Sequence, residues 1–370
     1  MEVLGLIFSN IHNKENFEVT SIRTIASAPI GGRYRLIDFP LSNMVNAGIK
    51  HVGVVTKSNY HSLMDHVGSG KDWDLARKKG GLVILPPLTD GGTFYNTRLE
   101  AIKNQFNFIN ESKEEYVILT DCYSVINLDL KKALDFHIEK KADITCIYHE
   151  HEVNINEFVP AKVFELDKDS RVVKMTMDPN EKGLKKASLD IWIMKRELLV
   201  NIVNEANTTN YSSFNRDVLQ RNLKNLKIYG YEHTGYYGNI GNLSSYFKVN
   251  MDLLSRDVRR ELFYLPGRSI YTKVRDSAPT KYTDSAVVKN SIIADGCIIE
   301  GTVENSVIFR GTRIAKGCVI KNSILMQDTV VNPGIKLEYV ITDKNVTIAN
   351  KKELVGDREN LIYVNKGGKL

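Results

Sequence analysis

Residues 31–48 read Gly-Gly-Arg-Tyr-Arg-Leu-Ile-Asp-Phe-Pro-Leu-Ser-Asn-Met-Val-Asn-Ala-Gly, and this stretch decides the fold. Its two glycines predict a turn, and Arg33 and Arg35 place forked cationic donors beside it, which suits an anionic phosphate ligand. The alternative interpretation is a loop with hydrated arginines, because charged side chains are mostly exposed. The following segment, 39–47, reads as a helix that ends at Gly48.

Apolar runs alternate with helical patterns on both sides of this stretch. Strands are predicted at 3–8, 51–56, 82–85, 116–120, 144–148, 163–166, 172–177, 187–194 and 228–231. Helices are predicted at 62–67, 73–79, 97–109, 130–141, 214–223 and 243–262. The alternation predicts a doubly wound α/β domain. Ligands bind beyond the carboxyl ends of strands in such sheets, which directs attention to the loops after Phe8 and Thr120.

The residue pattern of the sequence changes after residue 285. Small residues each stand two places before an aliphatic residue, and the aliphatic residues are mostly six apart: Ile293, Ile299, Ile308, Ile314, Ile320, Leu325 and Val331. This hexapeptide period predicts a parallel β-helix, with Cys297 and Cys318 as small packing residues. A β-sandwich of short strands is the alternative. We therefore expect an α/β domain at 1–266, a linker at 267–282 and a β-helix domain at 283–370.

The segment 30–49, Ile-Gly-Gly-Arg-Tyr-Arg-Leu-Ile-Asp-Phe-Pro-Leu-Ser-Asn-Met-Val-Asn-Ala-Gly-Ile, resembles a motif of the sugar-phosphate nucleotidyltransferases. Among them it is most similar to the bacterial ADP-glucose pyrophosphorylases (glucose-1-phosphate adenylyltransferases), which carry F-G-G-K-Y-R-x-I-D-F-x-L-S-N-C-x-N-S-G-I. The resemblance implies a mixed-sheet domain of the GT-A/Rossmann-like type followed by a left-handed parallel β-helix. It also implies adenylyl transfer from ATP to glucose 1-phosphate.

The phosphate-binding turn that the resemblance implies is missing. Active members of the family end their first strand in G-G-x-G-x-R-L, where backbone amides approach the phosphates and the arginine stabilises the leaving group. Here the strand is followed by Ser-Asn-Ile-His-Asn-Lys-Glu-Asn, with no glycine before Gly31 and only His12 and Lys14 as cationic candidates. Loss of an arginine that stabilises developing phosphate charge costs roughly 10³–10⁵ in rate.

Other positions that match the family's substrate-binding motifs are altered as well. Ile25 stands where the family has the lysine of R-A-K-P-A, and Thr97 replaces the glycine of W-Y-x-G-T, followed by the bulky Arg98. Asp178 takes the place of the lysine of E-K-P, which reverses the charge expected to hold a sugar phosphate.

The positions of the family's metal-binding aspartates are changed too. Asn239 replaces the aspartate of W-R-D-V-G-T, and an amide brings no negative charge to Mg²⁺. The family's A-G-D-H corresponds to Thr-Asp-Cys-Tyr at 120–123, which places Cys122 at the carboxylate position, or Asp121 if the register slips by one residue. That register stays open. We therefore expect Cys122, Asp178 and Asn239 to mark a degenerate site, with Asp121 as a weak metal candidate.

The resemblance is closest to the D-type subunit found beside the catalytic subunit in glycogen-making bacteria. It implies that this chain regulates or stabilises that catalytic sister. It also implies a homo- or hetero-oligomer, which in this family is expected to be a tetramer. No cofactor is expected, since Mg²⁺ belongs to the family's active members. Arg33, Arg35, Tyr95 and Glu100 are the candidates for binding a substrate or a small phosphorylated effector, and Asp38 is expected to fix Arg35 or a backbone amide.

Two other functions remain open for the sequence. One is an active nucleotidyltransferase with a rearranged Mg²⁺ site, in which Asp121 binds the metal and Lys14 or His12 replaces the arginine. The other is a standalone sensor that binds a sugar phosphate or nucleotide through Arg33 and Arg35. An acyltransferase on the hexapeptide coil is disfavoured, because residues 282–370 contain no histidine.

Composition favours a globular cytoplasmic protein with small-molecule ligands. The net charge is +6, and the basic run at 77–79 reads as a solvated helix end and not as a nucleic-acid surface. The four cysteines lack metal or disulfide spacing, which favours reduced thiols. No apolar run is long enough to span a bilayer, so no membrane partner is expected.

Overall fold

A nine-stranded mixed sheet forms the centre of the N-terminal part of the chain. The computed structural model describes residues 2–10, 17–87, 95–153, 162–177 and 183–370. Strands up to residue 239 are β1 (Val3–Phe8), β2 (Pro29–Ile30), β3 (Tyr34–Arg35), β4 (His51–Val55), β5 (Gly81–Leu85), β6 (Tyr116–Asp121), β7 (Ser124–Val125), β8 (Ile144–Val153), β9 (Lys162–Leu166), β10 (Val172–Met177), β11 (Gly183–Lys195), β12 (Ile228–Glu232) and β13 (Gly238–Asn239).

The helices of this part pack on both faces of the sheet. They are α1 (Asp38–Asn46), α2 (His61–Val67), α3 (Arg98–Asn104), α4 (Phe106–Glu111), α5 (Leu130–Glu139), α6 (Arg196–Thr208), α7 (Leu243–Asp252) and α8 (Arg256–Phe263). A π-helical turn spans Phe214–Leu219 inside the helix predicted at 214–223.

Four predicted helices differ from the structure. The segment 214–223 contains no α-helix, since the π-helical turn is followed by a 3₁₀ turn at Gln220–Asn222. The segment 73–79 is not a helix, because a 3₁₀ turn at Lys71–Trp73 ends where Asp74 takes a left-handed conformation. The predicted helix 97–109 is two helices that meet at Gln105. The predicted helix 243–262 is also two, since Ser255 lies in an extended conformation at the start of α8.

The sheet order places the carboxyl ends of three parallel strands side by side. The order is β10-β9-β11-β6-β1-β4-β5, with β8 joining β11 to β12. Strand β1 is parallel to both β4 and β6, so Phe8 lies opposite Val55 on one side and Asp121 on the other. Every residue of β1 is buried, as its continuous apolar sequence predicts. This edge is where an α/β sheet is expected to bind its ligand.

Alternate residues of the parallel strands belong to two separate cores. Ile7 and Ile118 pack on the face covered by α1, α5 and α7. Leu6 and Leu119 pack on the other face, against α3 and α6. The first core continues into the C-terminal part of the chain, where it includes Val307 and its neighbours along one β-helix face. The two parts of the chain therefore share one continuous apolar core.

The C-terminal part is a three-sided parallel β-helix, as the hexapeptide period predicts. Its strands are β14 (Lys281–Tyr282), β15 (Val287–Lys289), β16 (Ile292–Ile293), β17 (Ile298–Ile299), β18 (Thr302–Glu304), β19 (Val307–Ile308), β20 (Arg313–Ile314), β21 (Val319–Lys321), β22 (Ile324–Leu325), β23 (Val330–Val331), β24 (Lys336–Glu338), β25 (Val340–Thr342), β26 (Thr347–Ile348), β27 (Glu353–Val355) and β28 (Ile362–Val364). They form three parallel sheets of five strands, the arrangement of a left-handed β-helix.

The corners of the β-helix explain the small residues between its strands. Ser306 and Ser323 are buried, and the backbone amide of Ser323 donates to Ser306 Oγ over 3.1 Å. The asparagine before each serine, Asn305 and Asn322, adopts a positive φ of 47° or 45°. Asparagine tolerates this left-handed conformation better than most residues, so it turns the chain at each corner.

A buried ion pair and the glycine turn fix the two parts of the chain together. Arg23 Nη2 lies 2.7 Å from Asp343 Oδ1 and 2.8 Å from Oδ2, while the Tyr363 hydroxyl donates to Oδ2 over 2.7 Å. Gly32 has a φ of +83°, and a Cβ there would lie 3.4 Å from the side chain of Ile292. Glycine at this position therefore permits both the turn and the close approach of the β-helix.

Candidate functional site

The strand ends where a nucleotide is expected are occupied by an arginine from α3. Arg98 is buried and pairs with Asp121, the last residue of β6, through its Nη2. The same nitrogen lies 3.5 Å from Asp190 Oδ2. The guanidinium carbon sits 4.2 Å above the ring of Trp192 and 5.7 Å from that of Phe8, so the cation is packed between aromatic faces and carboxylates.

Two residues of the neighbouring strands complete this arrangement. Lys162, the first residue of β9, pairs with Asp190 through its Nζ. Asp190 adopts a φ of 55°, where β11 is irregular against β8 between Ser188 and Ile191. An aspartate in this left-handed conformation carries strain that glycine would not. We call the set Arg98, Asp121, Asp190 and Lys162 the four-charge network.

The four-charge network is electrically balanced and deeply buried. It contains two cations and two carboxylates, and the side chains of Arg98 and Asp121 are 3% and 4% exposed. Burial disfavours the charged form of Arg98, but the two carboxylates outweigh it and raise the pKa of the guanidinium. Burial also raises the pKa of Asp121 against the attraction of Arg98. Asp121 is therefore buried and paired with a cation of the protein itself.

The residues at the metal positions do not fit a Mg²⁺ ion. Asp121 leaves its Oδ1 without a hydrogen-bond partner in the described chain, but its other oxygen is held by the cation of Arg98. Cys122 is fully buried in the apolar core, and burial raises the pKa of its thiol well above the usual value. Asn239 pairs with Ser124 in a two-stranded sheet. Since Mg²⁺ requires oxygen ligands, usually with one or two carboxylates, this donor set lacks the necessary charge.

No other metal site replaces it within the described residues, where no group of three or more histidine, cysteine or acidic side chains is placed to hold an ion. The predictions that concern His12, Lys14 and Asp178 fall outside the described residues.

Tyr95 and Glu100 are brought to the same strand ends, but their polar atoms contact the protein. The Tyr95 hydroxyl donates to the carbonyl of Thr56. Glu100 Oε2 accepts from the backbone amides of Asn96, at 2.7 Å, and Thr97, at 3.2 Å, while the Thr97 hydroxyl accepts from the Glu100 amide. This capping box satisfies the amino end of α3 and so fixes the position of Arg98.

Lys57 is a cation at the carboxyl end of β4 that the sequence analysis missed. Its side chain is largely buried, and its Nζ donates to Asn96 Oδ1 over 3.2 Å. Its backbone amide donates to Asn10 Oδ1 over 3.0 Å, which joins β4 to the residues after β1. Burial lowers the pKa of the Lys57 ammonium. Its position two residues after the apolar run at 52–55 could have indicated a residue at the carboxyl end of a parallel strand.

Arg35 and Asp38 belong to a second site, next to the glycine turn. Asp38 Oδ2 accepts from the backbone amide of Arg35 over 3.0 Å, which confirms the predicted structural role of this aspartate. Its Oδ1 lies 2.6 Å from His66 Nε2. Arg35 Nη1 donates to the carbonyl and hydroxyl oxygens of Ser62 at 2.6 Å and 2.9 Å. Burial lowers the pKa of Arg35 to about 10, so the guanidinium still carries its charge at neutral pH.

A cleft between the glycine turn and the β-helix collects cations from both parts of the chain. It is shallow and partly open to solvent. Its basic lining residues are Arg33, Arg35, Lys273, Arg275, Arg310 and Lys344, together with His66. No carboxylate is among the described residues that line it. We call it the cationic cleft, and its charge suits a small anion.

The sequence analysis found two of the cationic cleft's residues and missed the others. Arg33 and Arg35 were recognised because they flank the glycine turn. Lys273 and Arg275 come from the segment between α8 and β14, and Arg310 and Lys344 come from corners of the β-helix. Residues so far apart in the chain form no motif, and only the packing of the two parts brings them together.

Fold and site together define a nucleotidyltransferase-type protein with a hexapeptide β-helix. The nucleotidyl transferase family matches residues 19–256, and the family described as GlmU-like, C-terminal hexapeptide matches residues 277–361. No helix in the described part of the chain is long and apolar enough to cross a membrane.

Curated relatives narrow this class. The chain is 32% identical to the glycogen biosynthesis protein GlgD of Bacillus subtilis (strain 168), over 99% of this chain and 96% of that protein. It is 36% identical to GlgD of Geobacillus stearothermophilus, over 86% and 83%, and 31% identical to the glucose-1-phosphate adenylyltransferase of Fervidobacterium nodosum, over 94% and 84%. The chain belongs to the family of bacterial glucose-1-phosphate adenylyltransferases and GlgD proteins.

Proposed function

We propose that this chain is a cytoplasmic subunit of glucose-1-phosphate adenylyltransferase in glycogen biosynthesis, inactive or weakly active by itself. The enzyme converts ATP and glucose 1-phosphate to ADP-glucose and pyrophosphate. In this proposal the chain regulates or stabilises a catalytic sister subunit within a heterotetramer. The observation that carries the proposal is the four-charge network, which occupies the strand ends with the protein's own charges.

The chemistry of adenylyl transfer explains how this observation supports the proposal. The reaction requires a divalent metal at the phosphates and positive charge on the departing pyrophosphate. Here Asp121 is neutralised by Arg98, and the charge of Lys162 is neutralised by Asp190. Neither cation is therefore free to act on a phosphate, and neither carboxylate is free to act on a metal ion.

The alternative of an active enzyme with a rearranged Mg²⁺ site requires Asp121 to leave Arg98. The guanidinium of Arg98 would then stay buried among Trp192, Phe8 and Asp190 and would lose one of the two carboxylates that balance its charge. Removing one partner of a buried ion pair costs roughly 3–5 kcal/mol. Absence of Mg²⁺-dependent ATP binding in calorimetry would eliminate this alternative.

The purified chain is expected to form ADP-glucose at least about 10³-fold more slowly than a mixture with the catalytic subunit, since the leaving-group charge is absent. The measurement is pyrophosphate release from ATP and glucose 1-phosphate, for the chain alone, the catalytic subunit alone and the two together. The catalytic subunit alone, at the same concentration, provides the control. Turnover by the chain alone that equals the mixture would refute the proposal.

An effector role for this subunit is supported by a separate observation, the cationic cleft. Six basic side chains line this cleft, and only two of them lie within 4 Å of a carboxylate among the described residues: Arg310 at 3.0 Å from Asp295 and Lys273 at 3.9 Å from Asp65. A small phosphorylated ligand offers the complementary charge. The same cleft would serve a standalone sensor. The two roles differ in one respect, because a sensor responds to its ligand without the sister subunit and needs no enzyme to report it.

Arg33→Gln is expected to reduce the affinity of the cationic cleft for anions by about tenfold, since hydrogen bonds to a charged group contribute roughly 1.5–3 kcal/mol. Arg33 is exposed and its guanidinium lies 5.6 Å from the ring centroid of Tyr34, so folding should be preserved. The measurement is the rise in melting temperature with glucose 1-phosphate or inorganic sulfate.

The matched control for Arg33→Gln is Arg313→Gln, which removes the same charge from an exposed position of β20 outside the cationic cleft. It should leave the anion-induced stabilisation unchanged. Equal effects of the two substitutions would mean that the anion responds to net charge and not to the cleft.

A further inference from the structure

Two cations of the β-helix line the cationic cleft: Arg310 is paired with Asp295 at 3.0 Å, and Lys344 is not paired with a carboxylate through its ammonium group in the described part of the chain. No ion pair to its ammonium group exists among the described residues, although it follows an aspartate in the chain. Both oxygens of Asp343 are already used. Oδ1 accepts from Arg23 and from the Lys344 backbone amide, and Oδ2 accepts from Arg23 and the Tyr363 hydroxyl.

The groups that face Lys344 are mostly cations from other parts of the fold. The ammonium charge of Lys344 is disfavoured by three arginines, namely Arg35 of the glycine turn, Arg23 and Arg275. It is favoured by the carboxylate of Asp343. The remaining charged or titratable lining residues of the cleft are Arg33, Tyr34, His66, Lys273 and Arg310. Burial lowers the pKa of Lys344, and the three arginines lower it further, to about 7. A lysine in this environment is partly neutral under physiological conditions.

We propose that an oxyanion entering the cationic cleft binds together with a proton, which Lys344 takes up from solvent on its Nζ. This inference rests on the proposed anion site and adds its regulation. A dianion next to the amine compensates the repulsion from Arg23, Arg35 and Arg275, so the bound state favours the ammonium form. By linkage, binding of the anion and binding of the proton then strengthen each other.

The sign of the pH dependence follows from this coupling. Below pH 7 Lys344 is already charged in the free protein, so the anion binds without a proton. Above pH 7 the free protein must first gain the proton, and affinity falls by up to about tenfold for each pH unit. Burial lowers the pKa of His66 below its ordinary value, so this residue stays neutral throughout the range from pH 7 to 9.

Inorganic sulfate is the suitable probe, because it is a dianion over this whole range. Calorimetric titration of the full chain with sulfate, in two buffers of different ionisation enthalpy, measures the protons taken up for each anion bound. We expect an uptake that approaches one proton at pH 8.5 and falls towards zero at pH 6. The dissociation constant should rise about tenfold or more between pH 7 and pH 8.5.

Two substitutions separate the charge of Lys344 from its proton. Lys344→Arg keeps a permanent cation, so it should abolish the proton uptake and hold the affinity constant between pH 7 and 8.5. Lys344→Gln should also abolish the uptake, but with weak affinity at every pH. The control is Lys366→Gln, at an exposed position of the same β-helix, which should behave as the unmodified chain.

The outcomes distinguish this inference from those on which it rests. Sulfate binding that is independent of pH and takes up no proton would overturn the proton coupling and leave the anion site intact. Absence of sulfate binding at any pH between 6 and 9 would overturn the anion site as well. Neither result would bear on the inactivity of the chain, which the pyrophosphate assay tests separately.

Discussion

Arg98→Met lowers the free energy of unfolding by about 3–5 kcal/mol, the cost expected for removing one partner of a buried ion pair. The substitution keeps most of the side-chain volume, but it removes the cation that Asp121 and Asp190 share. Asp121 then has no cationic partner in the described chain, in a position that is almost completely buried. The measurement is the midpoint and slope of urea unfolding of the full chain, monitored by circular dichroism.

The matched control for Arg98→Met is Arg216→Met. Arg216 also pairs with an aspartate, Asp217, at 2.9 Å, but its side chain is 62% exposed. An ion pair with an exposed partner of this kind contributes little to stability, so the control should be nearly neutral. Equal losses for the two variants, or no loss for Arg98→Met, would contradict a buried network that holds the strand ends together.

The pH dependence of Arg98→Met provides a second, independent signature. Burial already raises the pKa of Asp121, and loss of the guanidinium must raise it further. A carboxyl group whose pKa is higher in the folded than in the unfolded state binds more protons when folded, so its contribution to stability is lost as pH rises. Part of the stability that Arg98→Met loses at pH 7 should therefore return near pH 5.

The sequence predicted the architecture because its periods are long and regular. The apolar run of β1 and the hexapeptide period of the β-helix are both confirmed. The errors lie where a regular pattern is interrupted without a change of composition. Gln105 and Ser255 interrupt helices whose apolar spacing continues across the break. Periodicity reports which face is buried and contains little information about where one helix ends and the next begins.

The sequence predicted which groups the candidate site lacks, but not the ion pairs that it contains. Comparison with the family motif showed which groups were missing, but it did not show that Arg98, Asp190 and Lys162 meet behind Asp121. The available signal was a charge inside an apolar strand, as in the sequence Leu-Asp-Ile-Trp-Ile-Met at 189–194. A buried charge requires a partner, but the partner's identity depends on strand order and register, which a single sequence does not contain.

Arg23→Met is expected to produce the second large loss of stability, again about 3–5 kcal/mol, because it leaves Asp343 buried without its cation. This pair differs from the four-charge network in what it joins. Arg23 belongs to the N-terminal part and Asp343 to the β-helix, 320 residues further along the chain, so this ion pair joins the two parts. The loss should therefore include the cooperativity between the two parts, and unfolding should change from one transition to two.

The test of Arg23→Met is differential scanning calorimetry together with limited proteolysis at the linker, near residues 267–282. We expect a lower first transition and faster cleavage of the linker, with the β-helix strands still protected. Asp343→Asn gives the companion measurement, since it leaves the opposite partner, Arg23, buried without a carboxylate. A surface pair, Lys174 and Glu165, offers the control, because Lys174→Met changes a contact within one part of the chain and at exposed positions. If Arg23→Met melted in one transition at the temperature of the unmodified chain, the shared apolar core would by itself account for the coupling of the two parts.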